Sequence, residues 1–307
     1  MEEYFNNKSI FTLMGKWKIH IILIAIFAAV IAGAASYLIT PLYKSTAVLY
    51  PVNLGTFSDE NETEQMLQFL QSNDIKFQLI EKLNLDKHYN VSKSDTLYKT
   101  YMFAKINERI SFSKTEFESV KISVLDQVPD TAVMIVNEII ALYNKEVQSL
   151  HRNKYKELLD IKQNEIKNKN IELDSLRKRI NYLRNEYGLL DYDNQVKELT
   201  RVYYKSGSKS AKETLDNLKL HGGEYKKLDI NITKEQKVLA RIKLEYEKVN
   251  TEYHKEITFA HIVEKPFAAD KKTKPVRWLI VLLSVIGSVI LSMIAITIIE
   301  SKKTSSK

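Results

Sequence analysis

The 307-residue chain has no cysteine, only eight glycines and only five prolines. Lack of cysteine removes thiolate catalysis, disulfide frameworks and cysteine zinc sites, and leaves the redox compartment undefined. Among the glycines only Gly222 and Gly223 stand close together, so the glycine-rich loops that cradle phosphates are excluded. A chain this poor in turn formers must run through long uninterrupted elements, whereas length alone would suggest about two ordinary domains. Lys and Arg number 46 against 38 Asp and Glu, a net charge of +8. That excess is compatible with an anionic membrane or a nucleic acid and specifies neither.

Two apolar runs stand out. Ile19 to Ile39 reads IHIILIAIFAAVIAGAASYLI, and Trp278 to Ile299 reads WLIVLLSVIGSVILSMIAITII, the second without an ionisable side chain. At about 1.5 Å per residue either helix matches the roughly 30 Å of bilayer hydrocarbon. Lys16 and Lys18 before the first run, and the small residues Ala32-Gly33-Ala34 within it, also fit a signal peptide. The apolar run continues past them to Ile39, which favours an anchor. Two spans place both termini on one side of the membrane and residues 40–277 on the other. Lys8, Lys16 and Lys18 precede the first span, and Lys302, Lys303 and Lys307 follow the second, which favours cytoplasmic termini. Lys271, Lys272, Lys274 and Arg277 lie on the far side and count against that orientation, although long translocated loops largely escape the charge rule. We read them as a collar contacting lipid headgroups. Ala25, Ala29 and Gly33 in the first span, and Ser284, Ser288 and Ser292 in the second, recur every fourth residue, a stripe that lets helix backbones approach in lipid.

Between the spans, YKSTAVLYPV from Tyr43 reads as a strand. The acidic stretch Asp59 to Glu64 reads as charge at a helix start rather than as a cation site. Met66, Leu67, Leu70, Phe77, Leu79, Ile80 and Leu83 then follow helical spacing, broken near Ser72-Asn73-Asp74, predicting two short helices on a sheet. Arg109 to Ser113 and Ser119 to Leu125 alternate like strands. Pro129 and Asp130 suit the first turn of a helix. Beyond them Leu159, Ile166, Leu173, Ile180 and Tyr187 fall every seventh residue, with Leu176, Leu183 and Leu190 three positions on, as in a heptad seam. A second seam holds Leu218, Tyr225, Ile232, Leu239, Tyr246 and Tyr253, joined by Leu228, Ile242 and Val249. The two predict a long antiparallel helical hairpin, with reversal candidates at Lys205 to Lys209 and at His221-Gly222-Gly223. Seam tyrosines, with Lys162, Lys169 and Glu235, make the seam imperfect, so burial is expected to be completed by neighbouring subunits. ITFAHIV from Ile257 reads as a strand whose pairing with the Tyr43 strand would close a membrane-proximal base.

The predicted fold is therefore α+β with two transmembrane helices. It divides into an N-terminal flank 1–18, a span 19–39, a base 40–130 and 257–277, a hairpin 131–256, a span 278–299 and a tail 300–307. No pair among the six histidines shares a helical metal-ligand spacing, and no glycine-flanked serine elbow exists. Asp191 and Asp193 could be proposed as a carboxylate pair for glycosyl chemistry, but nothing in the sequence supports that over helix capping after Gly188, which is the reading taken. Basic and acidic residues alternate on the long helices, as on a solvated exterior, which argues against nucleic acid. The reading is of a non-enzyme with no catalytic residue, no metal and no cofactor.

The layout resembles the bacterial chain length determinant family, the polysaccharide co-polymerases. The resemblance rests on Leu13-Met-Gly-Lys-Trp-Lys18, on Thr40-Pro-Leu-Tyr-Lys-Ser-Thr-Ala47, and on the segment from Lys265 to Arg277 that carries Pro266 and Pro275, and it covers nearly the full chain. The family pattern is richer in proline before the second span. Membership would imply an inner-membrane homo-oligomer with a periplasmic central domain. Such a protein works with a polymerase that joins lipid-linked repeat units and biases when growth of O-antigen, capsule or exopolysaccharide stops. Expected partners are copies of the chain itself, the membrane polymerase, the growing lipid-linked glycan and membrane lipid. The tail ESKKTSSK lacks a nucleotide-binding loop and tyrosine, which suits the kinase-free type. Candidate functional residues are Pro266, Pro275 and Arg277, the small-residue stripes, and the seam positions Leu159, Ile166, Leu173, Ile180, Tyr187, Tyr225, Ile232, Leu239 and Tyr246. The competing readings are a periplasmic adaptor or scaffold of an export complex and a two-span sensor.

Overall fold

A computed structural model describes residues 7–55 and 59–305. The outermost parts of the expected terminal flanks, residues 1–6 and 306–307, lie outside the described residues. The chain divides into two compact units, residues 1–145 with 258–307, and residues 146–257.

The first unit contains both apolar helices. α1 (Asn7–Leu38) and α9 (Arg277–Ser305) each carry a stretch long and apolar enough to cross a membrane, Gly15–Leu38 and Arg277–Glu300. They pack against each other along their lengths. After α1, β1 (Tyr43–Pro51) is the third strand of a four-stranded antiparallel sheet ordered β2-β3-β1-β4, with β2 (Ile110–Lys114), β3 (Val120–Asp126) and β4 (Ala260–Glu264). Register places Ser45, Ala47 and Leu49 opposite Val124, Ile122 and Val120, all buried. With a side-chain period of two, that face meets the helices and the alternate residues face away.

Four short helices follow β1. α2 (Glu62–Gln71) starts at a capping box, Asn61 accepting from the Glu64 N–H and Glu64 from that of Asn61, so the acidic stretch does mark a helix start. Ser72 then ends α2 and caps α3 (Asn73–Lys82), its hydroxyl accepting from the Ile75 N–H. Beyond the sequence expectation lie α4 (Leu85–His88) and α5 (Tyr98–Arg109). Met66 and Leu70 of α2, Leu79 of α3, and Met102 and Ile106 of α5 fill the core. They are joined there by Ile135, Ile139 and Tyr143 from the first turns of α6 (Pro129–Tyr187). The Asn144 side chain accepts the Phe259 N–H at 2.8 Å, tying α6 to the approach of β4. The division of the chain thus falls inside α6 rather than at its start.

The second unit is helical. The rest of α6 runs antiparallel to α8 (Lys209–His254), as the ion pairs Lys162–Glu245, Lys169–Glu235 and Arg179–Glu224 show, and α7 (Tyr192–Ser206) lies between them in sequence and packs on α8. Gly188, at φ 69°, ends α6; Gly207, at φ 60°, ends α7. Glycine adopts this left-handed backbone without steric cost, which is why both helices stop there. Asp191 caps α7, its carboxylate accepting the Asn194 N–H at 3.1 Å. The expected reversal at His221-Gly222-Gly223 does not occur: α8 runs straight through it. A Cβ on Gly222 would collide with the Tyr192 ring, so this glycine serves close helix packing rather than a turn. Leu190 likewise leaves the expected seam, being 68% exposed in the turn after Gly188.

Candidate functional site

Three constellations carry polar or functional character, two in the first unit and one in the second.

The first is the paired apolar helices. Ile21, Ala32 and Ser36 of α1, with Ser292 and Ile296 of α9, are the buried positions of the two helices among the described residues. Ala25, Ala29 and Gly33, and Ser284 and Ser288, are half-buried on the same sides. Three serine hydroxyls donate to carbonyls of their own helices, Ser36 to Gly33 at 2.7 Å, and Ser288 to Val285 and Ser292 to Val289, both at 2.8 Å. The hydroxyls are thereby satisfied within apolar surroundings, where an unmade hydrogen bond is costly. At one end of the pair Lys16 forms an ion pair with Glu300. At the other, the Arg277 guanidinium lies 3.8 Å from the centre of the Tyr37 ring. Leu42 and Lys274 are bridged, Leu42 N–H donating to the Lys274 carbonyl at 2.9 Å, and the Lys274–Pro275 peptide is cis. Pro275 is half-buried beside this bridge and Pro266 is half-buried just after β4. The structure therefore brings Pro275 and Arg277 together at one end of the span pair, and Pro266 lies on the segment just after β4.

Sequence reasoning missed the second. Asp126, closing β3, is fully buried, and its carboxylate accepts from the Tyr89 hydroxyl at 3.0 Å, the Val128 N–H at 3.0 Å and His88 Nε2 at 2.9 Å. Burial, reinforced by the neighbouring Asp126 charge, pushes the Tyr89 phenol well above its usual range, so it stays a proton donor. Arg109, only 8% exposed, stacks its guanidinium 5.9 Å from the Tyr89 ring and approaches Glu108 at 3.9 Å. Carboxylate, imidazole and phenol are acid–base groups by type. Here the carboxylate's acceptor capacity is used inside the fold, and the cluster braces α4 against the end of β3 and the entry to α6. The signal was an acid ending the apolar run VKISVL, one residue past the expected strand.

In the second unit the seam is divided. Leu173, Ile180, Leu183, Leu218 and Tyr225 are buried, with Leu189 beyond the helix end buried beside them, whereas Leu159, Ile166, Tyr187, Ile232, Leu239 and Tyr246 remain half-exposed. Tyr187 stacks on His221, ring centres 4.0 Å apart, and the Tyr225 hydroxyl donates to the Leu190 carbonyl at 2.5 Å. The seam lysines reach across: Lys162 to Glu245 at 2.8 Å, Lys169 to Glu235 at 2.9 Å. Arg179 forks onto Glu224 with bonds of 2.6 and 2.9 Å. Side-chain hydrogen bonds from these cations hold Glu224, Glu235 and Glu245 below the usual carboxylate range. Asp193 pairs with Lys226 at 2.8 Å while Asp191 caps α7, so the two carboxylates have separate structural tasks. Among the described residues no group of three His, Asp or Glu side chains could hold a metal ion.

No family model matches the sequence, and no curated protein matches it. Solved structures do match. A full-length bacterial polysaccharide co-polymerase is 14% identical, with 98% of this chain and 99% of that one covered, at a TM-score of 0.49. The wild-type Shigella flexneri lipopolysaccharide O-antigen chain-length regulator WzzBSF is 12% identical over 75% of this chain and 99% of its own, at a TM-score of 0.34. A fragment of the polysaccharide co-polymerase WzzB from Salmonella Typhimurium is 11% identical over 76% and 100%, at a TM-score of 0.29.

Proposed function

We propose that this protein is a non-enzymatic regulator of chain length in the biosynthesis of a surface polysaccharide. It acts as an oligomeric scaffold in the bacterial inner membrane, with both termini cytoplasmic and the segment between the spans periplasmic. The observation that carries the reading is the antiparallel pairing of β1 with β4. β1 begins a few residues after the first apolar helix and β4 ends shortly before the second, so one sheet joins the two membrane-proximal ends of the chain. Pairing of α1 with α9 holds their other ends together. A base anchored at two points, with a long helical hairpin inserted between its last two strands in sequence, suits a scaffold that holds a nascent chain beside its polymerase. Three sequence segments support the family assignment, Leu13 to Lys18, Thr40 to Ala47 and Lys265 to Arg277. The half-exposed seam positions of the hairpin support self-association, since two helices alone leave them incompletely covered. Partners in this reading are copies of the chain, a membrane polymerase, the lipid-linked glycan and lipid.

The test is the surface-polysaccharide ladder on a gel. Deletion should turn a clustered length distribution into a decaying or shortened one while glycan is still made, and complementation should restore the cluster. An unchanged ladder would overturn the reading and move the export-adaptor alternative to the front.

A further inference from the structure

The sheet face opposite α2 and α5 carries a groove of about 610 Å³, within the roughly 300–1,000 Å³ of sites that take small molecules. Its floor is Val48 and Tyr50 of β1, Lys121 of β3 and Val263 of β4. Lys121 stands directly opposite Val48 in the strand register. One wall is the β2–β3 turn with Thr115, Glu116 and Phe117. Tyr50 is 43% exposed and Phe117 81%, an unusual position for a phenylalanine on an ordered turn.

That turn is fixed rather than loose. Thr63 at the start of α2 donates to the Glu118 carbonyl at 2.6 Å, Lys114 pairs with the Glu118 carboxylate at 2.9 Å, and Thr115 N–H donates to the Ser119 carbonyl at 2.8 Å. Glu118 itself is held at φ 55°. Phe117 is thus held out from the fold by its backbone, with its ring left to cover something else. On the groove floor, Lys121 forms no ion pair among the described residues.

Two exposed aromatic rings flanked by a carboxylate, hydroxyls and a lysine match the chemistry of a sugar strand. Pyranose rings present apolar C–H faces to the electron-rich face of an aromatic ring and hydroxyls to polar neighbours at their edges. We infer that this groove binds a segment of polysaccharide, stacked on Tyr50 and Phe117, with Lys121 taking the carboxylate of an acidic sugar. The inference rests on the proposed function, and names where the glycan meets the protein. Its place suits a glycan rather than a lipid headgroup: from Tyr43, next to the first span, seven strand residues carry the chain about 23 Å to Tyr50. Growing sugar chains extend that far from their lipid anchor, whereas headgroups do not.

Calorimetry on the full chain in detergent, titrated with polygalacturonate oligomers and with neutral malto-oligosaccharides, tests this. Saturable binding of the acidic oligomer is expected, weakened about three- to tenfold by Phe117→Ala or Tyr50→Ala. Lys121→Gln should remove the preference for the acidic over the neutral probe. Absence of saturable binding, or equal affinities in all variants, would overturn the inference. So would a spontaneous disulfide between copies through Phe117→Cys, because the face would then be a subunit interface. The two levels separate in the cell. If deletion alters the ladder but the Phe117→Ala, Lys121→Gln double variant restores it fully, the groove inference fails and the chain-length reading stands. If deletion leaves the ladder unchanged, the chain-length reading fails and calorimetry still decides the groove.

Discussion

The sheet-containing unit and the helical hairpin bury apolar surface in different ways. In the first, residues from three strands and several helices close on one another, and Ala47, Leu49, Met66, Leu70, Val120, Ile122, Val124 and Tyr143 lose all contact with solvent. In the second, two long helices meet along one seam, which closes at Leu173 and, near Gly188 and Gly222, around Ile180, Leu183, Leu189, Leu218 and Tyr225. Below it the seam relies on Lys162, Lys169 and their glutamate partners. A two-layer core can exclude water from all sides. A helix pair cannot, so it fills its open positions with long side chains that pack their stems and keep their charges wet.

The largest effect that sharpens this contrast is expected in the base. Leu49→Ala should cost about 2–5 kcal/mol by leaving a cavity in a closed core. Leu239→Ala, in the half-exposed seam, should cost about 1 kcal/mol or less. Chemical denaturation of the detergent-solubilised protein measures both, and equal losses would mean that the seam is closed by another subunit. Next in size, Gly222→Ala should lose about 1–3 kcal/mol by overpacking against Tyr192. Tyr192→Ala in the same chain should recover part of that loss; additivity would remove the packing account.

Ser292→Leu should spread α1 from α9. Because the chain has no native cysteine, a Lys16→Cys, Glu300→Cys pair reports that spacing through its crosslinking yield, which should fall in the Ser292→Leu background. Unchanged yield would show that this serine does not set the helix distance. Smaller again is the charge swap: Lys169→Glu and Glu235→Lys should each lower the melting temperature, and together restore it, as expected for an antiparallel pair in this register.

The smallest effect is acid sensitivity of the hairpin. Glu224, Glu235 and Glu245 titrate lower in the folded than in the unfolded chain, so their stabilisation is full above the ordinary carboxylate range and lost as pH falls through it. His151 is also held low, by burial and by Lys154 and Lys255, against the opposing pull of Glu252. A lowered histidine likewise favours the folded state above about pH 6.5 and loses that contribution on acidification. Helicity followed by circular dichroism should therefore begin to melt earlier below about pH 6.5, with the main loss below about pH 5. A flat profile would show that these pairs contribute nothing measurable.

Much of this architecture was legible because long elements write long patterns. A run of apolar residues without charge, or leucines every seventh position, is a signal that needs no knowledge of distant partners. Short elements write little: α4 has four residues, too few for a periodicity, and α5 went unread, its last residue Arg109 being assigned to the strand that follows. The glycine pair at Gly222 was misread because the same residue serves a turn or a close ring contact, and only the position of Tyr192 distinguishes them. Of the candidate residues, the span stripes and the seam were visible as spacing. The Asp126 brace and the Phe117 groove were not, since His88, Tyr89, Arg109 and Asp126, or Tyr50, Phe117, Lys121 and Val263, lie on separate segments of the chain.

By itself the sequence determined two apolar helices, two heptad helices and strands flanking them, because each follows from local propensity and from the repeat of its hydrophobic positions. Tertiary structure alone decided that β1 lies between β3 and β4, that α6 belongs in part to the base, and that α8 passes unbroken through its glycines. It also decided which lysines find a glutamate, and that Lys121 faces a groove. Such outcomes depend on contacts between residues far apart in the chain, and the spacing of residues within a segment carries no information about them.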